Sequence, residues 1–200
     1  MKENKLWLLL LLPCLLGACR TAPVAGVPAG EAGAAFKKPV EWLYPPSFRA
    51  QHRVTLTFRG RQLDFSGYLI AKRPGAWRAV AFGEFGGSLF DIAALPGKSA
   101  QVLKKPRGIP DRWLRGPAAD ILEIISFSEV PAGSPETPFS VTRRGEVYNL
   151  GYSDYADFPG AAHALPRHIV VENEKMKLRL EVDLVKFESV EIPESNFIYE

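Results

Sequence analysis

From Met176 to Val185 the chain alternates without a break. Met176, Leu178, Leu180, Val182 and Leu184 fall on one side, and Lys177, Arg179, Glu181 and Asp183 on the other. A helix carries its apolar stripe at a period of about 3.6, so a period of two over this length specifies a strand with one face on a core and the other in solvent.

The same period recurs upstream. Val54, Leu56 and Phe58 alternate with Arg53, Thr55, Thr57 and Arg59; after a short turn at Gly60-Arg61, Leu63, Phe65, Gly67 and Leu69 alternate with Asp64, Ser66 and Tyr68. The pair reads as a hairpin. Pro74-Gly75 ends it, Trp77, Ala79 and Ala81 alternate with Arg78, Val80 and Phe82 in a third strand, and the 83–87 turn leads to a fourth over 88–95. Both faces of these two strands are rather apolar, as in a sheet with one face on a core and the other partly covered. A short fifth strand follows at 100–103. Beyond the Pro-rich 130–138, strands resume at 139–143, 146–152, 167–172 and 176–185. The compact turns Arg143-Arg144-Gly145 and Asn173-Glu174-Lys175 predict antiparallel neighbours.

Between the two runs the alternation stops. Residues 110–114 and 116–125 contain good helix formers, Pro117 suits a first helical turn, and Ala118, Ile121, Leu122 and Ile125 share one apolar face that should lie on the sheet. About nine strands in two runs around a helix predict a mainly β (α+β) domain: a strongly curved antiparallel sheet forming an incomplete β-barrel with a short helical lid or plug.

The N-terminus carries a different signal. Lys2 and Lys5 precede an apolar run from Leu6 to Leu16, too short for the roughly 20 residues of a spanning helix but suited to an export signal. It ends Leu16-Gly17-Ala18-Cys19, which looks like a lipobox: an aliphatic residue, two small ones, then the cysteine that receives a diacylglycerol and further acyl chains such as palmitate. We expect residues 1–18 to be a lipoprotein signal peptide, 19–38 a lipidated N-terminus and flexible tether, and 39–200 the folded domain. The only two cysteines are Cys14, in the segment removed, and Cys19, so the mature domain has no internal disulfide and depends on its core. The Ala-, Gly- and Pro-rich stretch 21–35 cannot build one, and would reach about 50 Å when extended. Arg20, where an aspartate retains many lipoproteins at the inner membrane, favours lipid anchoring on the periplasmic face of the outer membrane over the inner. Processing removes two lysines and one glutamate from the 25 basic and 22 acidic residues, leaving 23 against 21, a balance that implies no nucleic-acid partner.

The order lipobox, linker, "RVTLTFRGRQLDFSGYLIAKRPGAWRAVAFGEFGGSLFDI", helix and "PRHIVVENEKMKLRLEVDLVKFESVEIPESNF" resembles the LolA/LolB-type lipoprotein-carrier superfamily over most of 49–197. The resemblance implies an incomplete barrel with a helical lid over an apolar cavity for acyl chains, no cofactor and no chemistry. Being itself a lipoprotein, the chain is more similar to the outer-membrane acceptor than to the soluble carrier. The tight turn at Gly60-Arg61 departs from the acceptor, whose apolar loop there inserts into membrane.

No residue is a catalytic or metal-ligand candidate. There is no Gly-x-Ser-x-Gly elbow, and His52, His163 and His168 lack metal-ligand spacing. Ser66, Asp91 and His168 could be imagined as a triad only because such residues occur in any chain of this length. The 83–87 segment has the glycines of a phosphate loop without its Gly-Lys-Ser/Thr ending, and Asp154 and Asp157 lack a calcium-loop pattern.

Aromatics are more informative. Phe58, Phe65, Trp77, Phe82, Phe85 and Phe90 cluster in the first four strands. By themselves they fit a lined cavity or a filled core; the resemblance implies the cavity, with Phe58, Phe65, Trp77, Phe82, Phe90, Ile121, Ile125, Leu178 and Leu180 as its candidate walls. Lys104, Lys105, Arg107, Arg112 and Arg115 around Trp113 are candidates for contact with anionic headgroups, or else a solvated face. The partners expected are therefore the membrane, through acyl chains on Cys19, and a lipid or lipoprotein ligand. The alternative is a structural or assembly lipoprotein that binds an envelope protein.

Overall fold

The alternation seen in the sequence continues beyond the stretches where it is obvious, and this extension sets the architecture. A computed structural model describes residues 40–83, 86–107, 109–131 and 138–198; the signal peptide, Cys19 and the tether lie outside the described residues. Eleven strands are described: β1 (Val40–Trp42), β2 (Ser47–Phe58), β3 (Arg61–Lys72), β4 (Ala76–Phe82), β5 (Ser88–Ala94), β6 (Gln101–Lys104), β7 (Glu129–Pro131), β8 (Phe139–Arg143), β9 (Glu146–Ala156), β10 (Leu165–Asn173) and β11 (Leu178–Ser189). Nine form one antiparallel sheet in the order β6-β5-β4-β3-β2-β11-β10-β9-β8, while β1 and β7 pair separately. The sheet is two meanders joined where β2 meets β11. Its edges, β6 and β8, do not pair with each other, so the barrel is incomplete, as expected.

Two hairpins turn as their sequences require. Arg59 and Gly60 have φ of 51° and 77°, and Arg144 and Gly145 have 49° and 78°, the doubly left-handed geometry of two-residue turns that match strand twist. The first turn therefore sits one residue earlier than Gly60-Arg61. The other expected compact turn is longer, with β10 ending at Asn173 and β11 starting at Leu178. Asn173 Oδ1 accepts a hydrogen bond from the Met176 N–H at 2.9 Å and closes it. A bulge between Leu184 and Lys186 shifts the β11–β2 register. It bends the strand, leaves Val185 outward and returns Phe187 to the concave side.

The helical segment covers both stretches of helix formers and runs through them without a break. It comprises α1 (Asp111–Trp113), a π-helical stretch (Leu114–Ala118) and α2 (Ala119–Phe127). Pro117 lies inside the π stretch instead of opening the helix. Proline has no N–H to bond four residues back, and the wider turn accommodates that loss. Ser126 and Ser128 hydroxyls bond the Leu122 and Ile124 carbonyls near the C-terminal end of α2. Arg144, on the β8–β9 turn, reaches buried Asp120 at 3.1 Å and the Arg115 carbonyl at 2.9 Å, tying the helical segment to the sheet.

Candidate ligand-binding cavity

The concave face is filled unevenly. On β9 and β10, Tyr148, Leu150, Ile169 and Val171 are at most 1% exposed and belong to a dense core. Across β11 and β2 to β5 the sheet and the helical segment line a cavity of about 640 Å³, within the range of roughly 300–1,000 Å³ usual for small-molecule sites.

Strand register builds its wall in rows. Leu180, Leu56 and Leu63 form the outer row, followed by Val182, Val54 and Phe65, then by His52, Gly67, Ala81 and Phe90; Leu69 and Ala79 lie deepest. Phe65 and Phe90 brace one another edge to face at 5.6 Å. A Cβ at Gly67 would sit a tight 3.2 Å from the Val80 carbonyl oxygen; with glycine there and Ala81 beside it, the row stays open. Leu114, Ala118, Ile121, Leu122 and Ile125 make the roof. At the mouth, Phe58 on the sheet rim meets Trp113 of α1 at 6.3 Å, and Arg59, Arg61 and Arg112 complete the rim.

His52 is the one ionisable group of the inner rows. It is 5% exposed, its Nε2 has no hydrogen-bond partner, and burial pushes its imidazole down to about 4 from 6.5. The unfolded chain then binds the extra proton between those values, so His52's contribution is fully present above pH 6.5 and is lost as the pH falls towards 4. The whole effect is about 3 kcal/mol. Urea unfolding at pH 7 and pH 5 should show a steeper loss for the native sequence than for His52→Leu; equal losses would remove His52 as the cause.

No protein-family model matches this chain, and no curated protein does. Several solved structures are similar to it, three of which illustrate the likeness. A LolA superfamily protein from Nitrosomonas europaea shares 10% identity over 78% of this chain and 92% of its own, with a TM-score of 0.40. A DUF1329 family protein from Desulfovibrio piger shares 12% over 77% and 90%, with 0.40. A domain described as an outer membrane lipoprotein-sorting protein, from Vibrio parahaemolyticus, shares 9% over 76% and 89%, with 0.42. Likenesses this distant decide neither family nor ligand, so the functional case stands on the cavity.

Of the candidate wall residues, Phe58, Phe65, Phe90, Ile121, Ile125 and Leu180 line the cavity. Trp77, Phe82 and Leu178 do not. Trp77 is on the concave face but lies deeper, opposite Ala71 and Ala94 and 2% exposed in the filled core. Phe82 has the opposite parity to Ala79 and Ala81 and packs edge-on against Tyr68 at 6.0 Å. Leu178 is 3% exposed between Asn173 and Phe58.

The basic cluster divides in the same way. Arg112 and Trp113 line the mouth, whereas Lys105 and Arg115 pair with Asp111, and Lys104 and Arg107 are exposed away from the lining. Sequence reasoning missed His52, Arg59 and Arg61 as lining residues. The parity of His52 with Val54 and Leu56 was the available signal for the first. The imagined triad does not assemble: His168 Nδ1 contacts Asp183 at 2.8 Å, and Asp91 is held by Arg78 at 2.9 and 2.6 Å. Among the described residues, no three His, Cys, Asp or Glu side chains are grouped to hold a metal, and no helix is long and apolar enough to cross a membrane.

Proposed function

We propose that this chain is a non-enzymatic lipoprotein, anchored through Cys19 to the periplasmic face of the outer membrane, that accepts or carries a lipophilic ligand in the cavity beneath its helical segment. The observation that carries this reading is the cavity itself: a largely aliphatic and aromatic wall beside the densely buried side chains of β9 and β10. Each methylene moved from water into such a wall is worth about 0.8 kcal/mol, so an acyl chain is the ligand it fits. The acyl group on Cys19, with its tether, would keep the mouth near the membrane that supplies or receives the ligand.

Native mass spectrometry of the Cys19→Ala chain purified without detergent tests the reading. Co-purifying lipid is the expected result; the native chain should incorporate labelled palmitate and the Cys19→Ala chain should not. A consistently empty protein that also refuses added fatty acid would sink the carrier reading, and unchanged labelling would sink the anchor.

A further inference from the structure

Most of the basic side chains with an assigned partner are matched to acids. Arg49 pairs with Glu188, Arg78 with Asp91, Arg144 with Asp120, Lys175 with Glu146, Arg179 with Glu172 and Glu181, and both Lys105 and Arg115 with Asp111. Several described arginines make no such pair, Arg53, Arg107 and Arg167 among them, and three of the unpaired ones line the cavity: Arg59 in the β2–β3 turn, Arg61 at the start of β3, and Arg112 on α1. None is in an ion pair among the described residues. They come from segments far apart in sequence, brought together where Phe58 meets Trp113. The Trp113 indole N–H at the same mouth is buried and has no acceptor. An apolar cavity lined at one end by three guanidiniums without acidic partners and by an unused N–H donor has the polarity of an amphiphile: hydrocarbon along the apolar rows, anion at the arginines.

We propose that the ligand is an anionic amphiphile whose phosphate-bearing head is held at the mouth by Arg59, Arg61 and Arg112 while its chain lies along the rows that end at Leu69 and Ala79. This rests on the carrier reading and specifies its ligand class. The guanidinium fork matches phosphate oxygens in pairs, which a lysine ammonium does not. From Phe58 to Ala50, level with Leu69, is eight strand residues, or about 26 Å of depth, room for a long chain lying straight.

The test uses the full chain loaded with an apolar fluorescent dye, displaced by amphiphiles of one chain length: hexadecyl phosphate, hexadecanol and hexadecyltrimethylammonium. Exposed charge contacts are worth a few tenths to one kcal/mol each, so hexadecyl phosphate should displace dye about tenfold better than hexadecanol, an advantage that shrinks with added salt. In the triple variant Arg59→Gln, Arg61→Gln, Arg112→Gln the advantage should vanish while hexadecanol binding persists, and the matching lysine triple should recover part of it. Equal displacement by alcohol and phosphate in the native chain, or an advantage that survives the triple glutamine variant, would overturn the proposal. So would inorganic phosphate competing as well as hexadecyl phosphate, since the mouth would then be an anion site independent of the chain. Failure of the chain to take up dye or any amphiphile is the separate signature that the carrier reading itself is wrong.

Discussion

Replacing Phe48 with alanine should cost the domain about 3–5 kcal/mol, the usual penalty for deleting a fully buried aromatic ring. Phe48 is 1% exposed and stacks against Tyr44 at 4.7 Å and Phe187 at 5.6 Å. It occupies the join between the two meanders, paired across to Ser189 on β11 and to Ala71 on β3. Removing the ring therefore takes contacts from both halves of the sheet at once, and the backbone of a central strand cannot collapse to close the gap. Against a typical domain stability of about 5–15 kcal/mol the loss is about a fifth or more. With a urea dependence of about 1–3 kcal/mol per molar, the unfolding midpoint should fall by at least about 1 M. A shift under a few tenths of a molar would show that the aromatic stack is not part of the cooperative core.

Phe48 also shows where the sequence is hard to read. It is the first inward residue of β2, on the same face as Val54, Leu56 and Phe58, but Ala50 and His52 stand between them, one small and one polar. The apolar signal therefore fades just where the strand is most deeply buried, and alternation becomes visible only near Arg53. At the other end, β11 runs on to Ser189 because the bulge at Leu184 resets the parity, so Phe187 is inward although a strict period of two would place it outward. The strands themselves were legible because parity is a local property. The join of β2 to β11 was not, since both strands are amphipathic and nothing in either sequence states which neighbour it takes.

The cavity was legible in the same partial way. Phe65, Phe90 and Leu180 follow from parity, and Phe82 is excluded from the concave face by the parity it shares with Val80 and Arg78. Whether a concave-facing aromatic lines space or fills it depends on what lies opposite. Trp77, beside Ala71 and Ala94, is buried in the filled core, while Phe65 lines the cavity together with residues of α1 and the π stretch. The pairing of Arg59 and Arg61 with Arg112 at one rim is a property of the β2–β3 turn meeting α1, some fifty residues away along the chain.

Leu180→Trp should separate stability from binding. Leu180 is half-buried in the outermost row of the cavity, beside Leu56, at a strand position that tolerates an aromatic. Leu180 lines the cavity, and a larger ring there takes up part of its volume. Filling a void adds contacts and commonly stabilises a domain by about 0.5–2 kcal/mol. The melting temperature should therefore hold or rise by a few degrees. The same ring blocks passage from the mouth to the rows at Phe65 and His52, so uptake of apolar dye or fatty acid should fall at least tenfold. Opposite signs for the two readouts are what a functional cavity requires: a void left by imperfect packing would gain stability on filling with no binding to lose. Undiminished uptake in a well-folded Leu180→Trp chain would place the ligand, if there is one, elsewhere on the molecule.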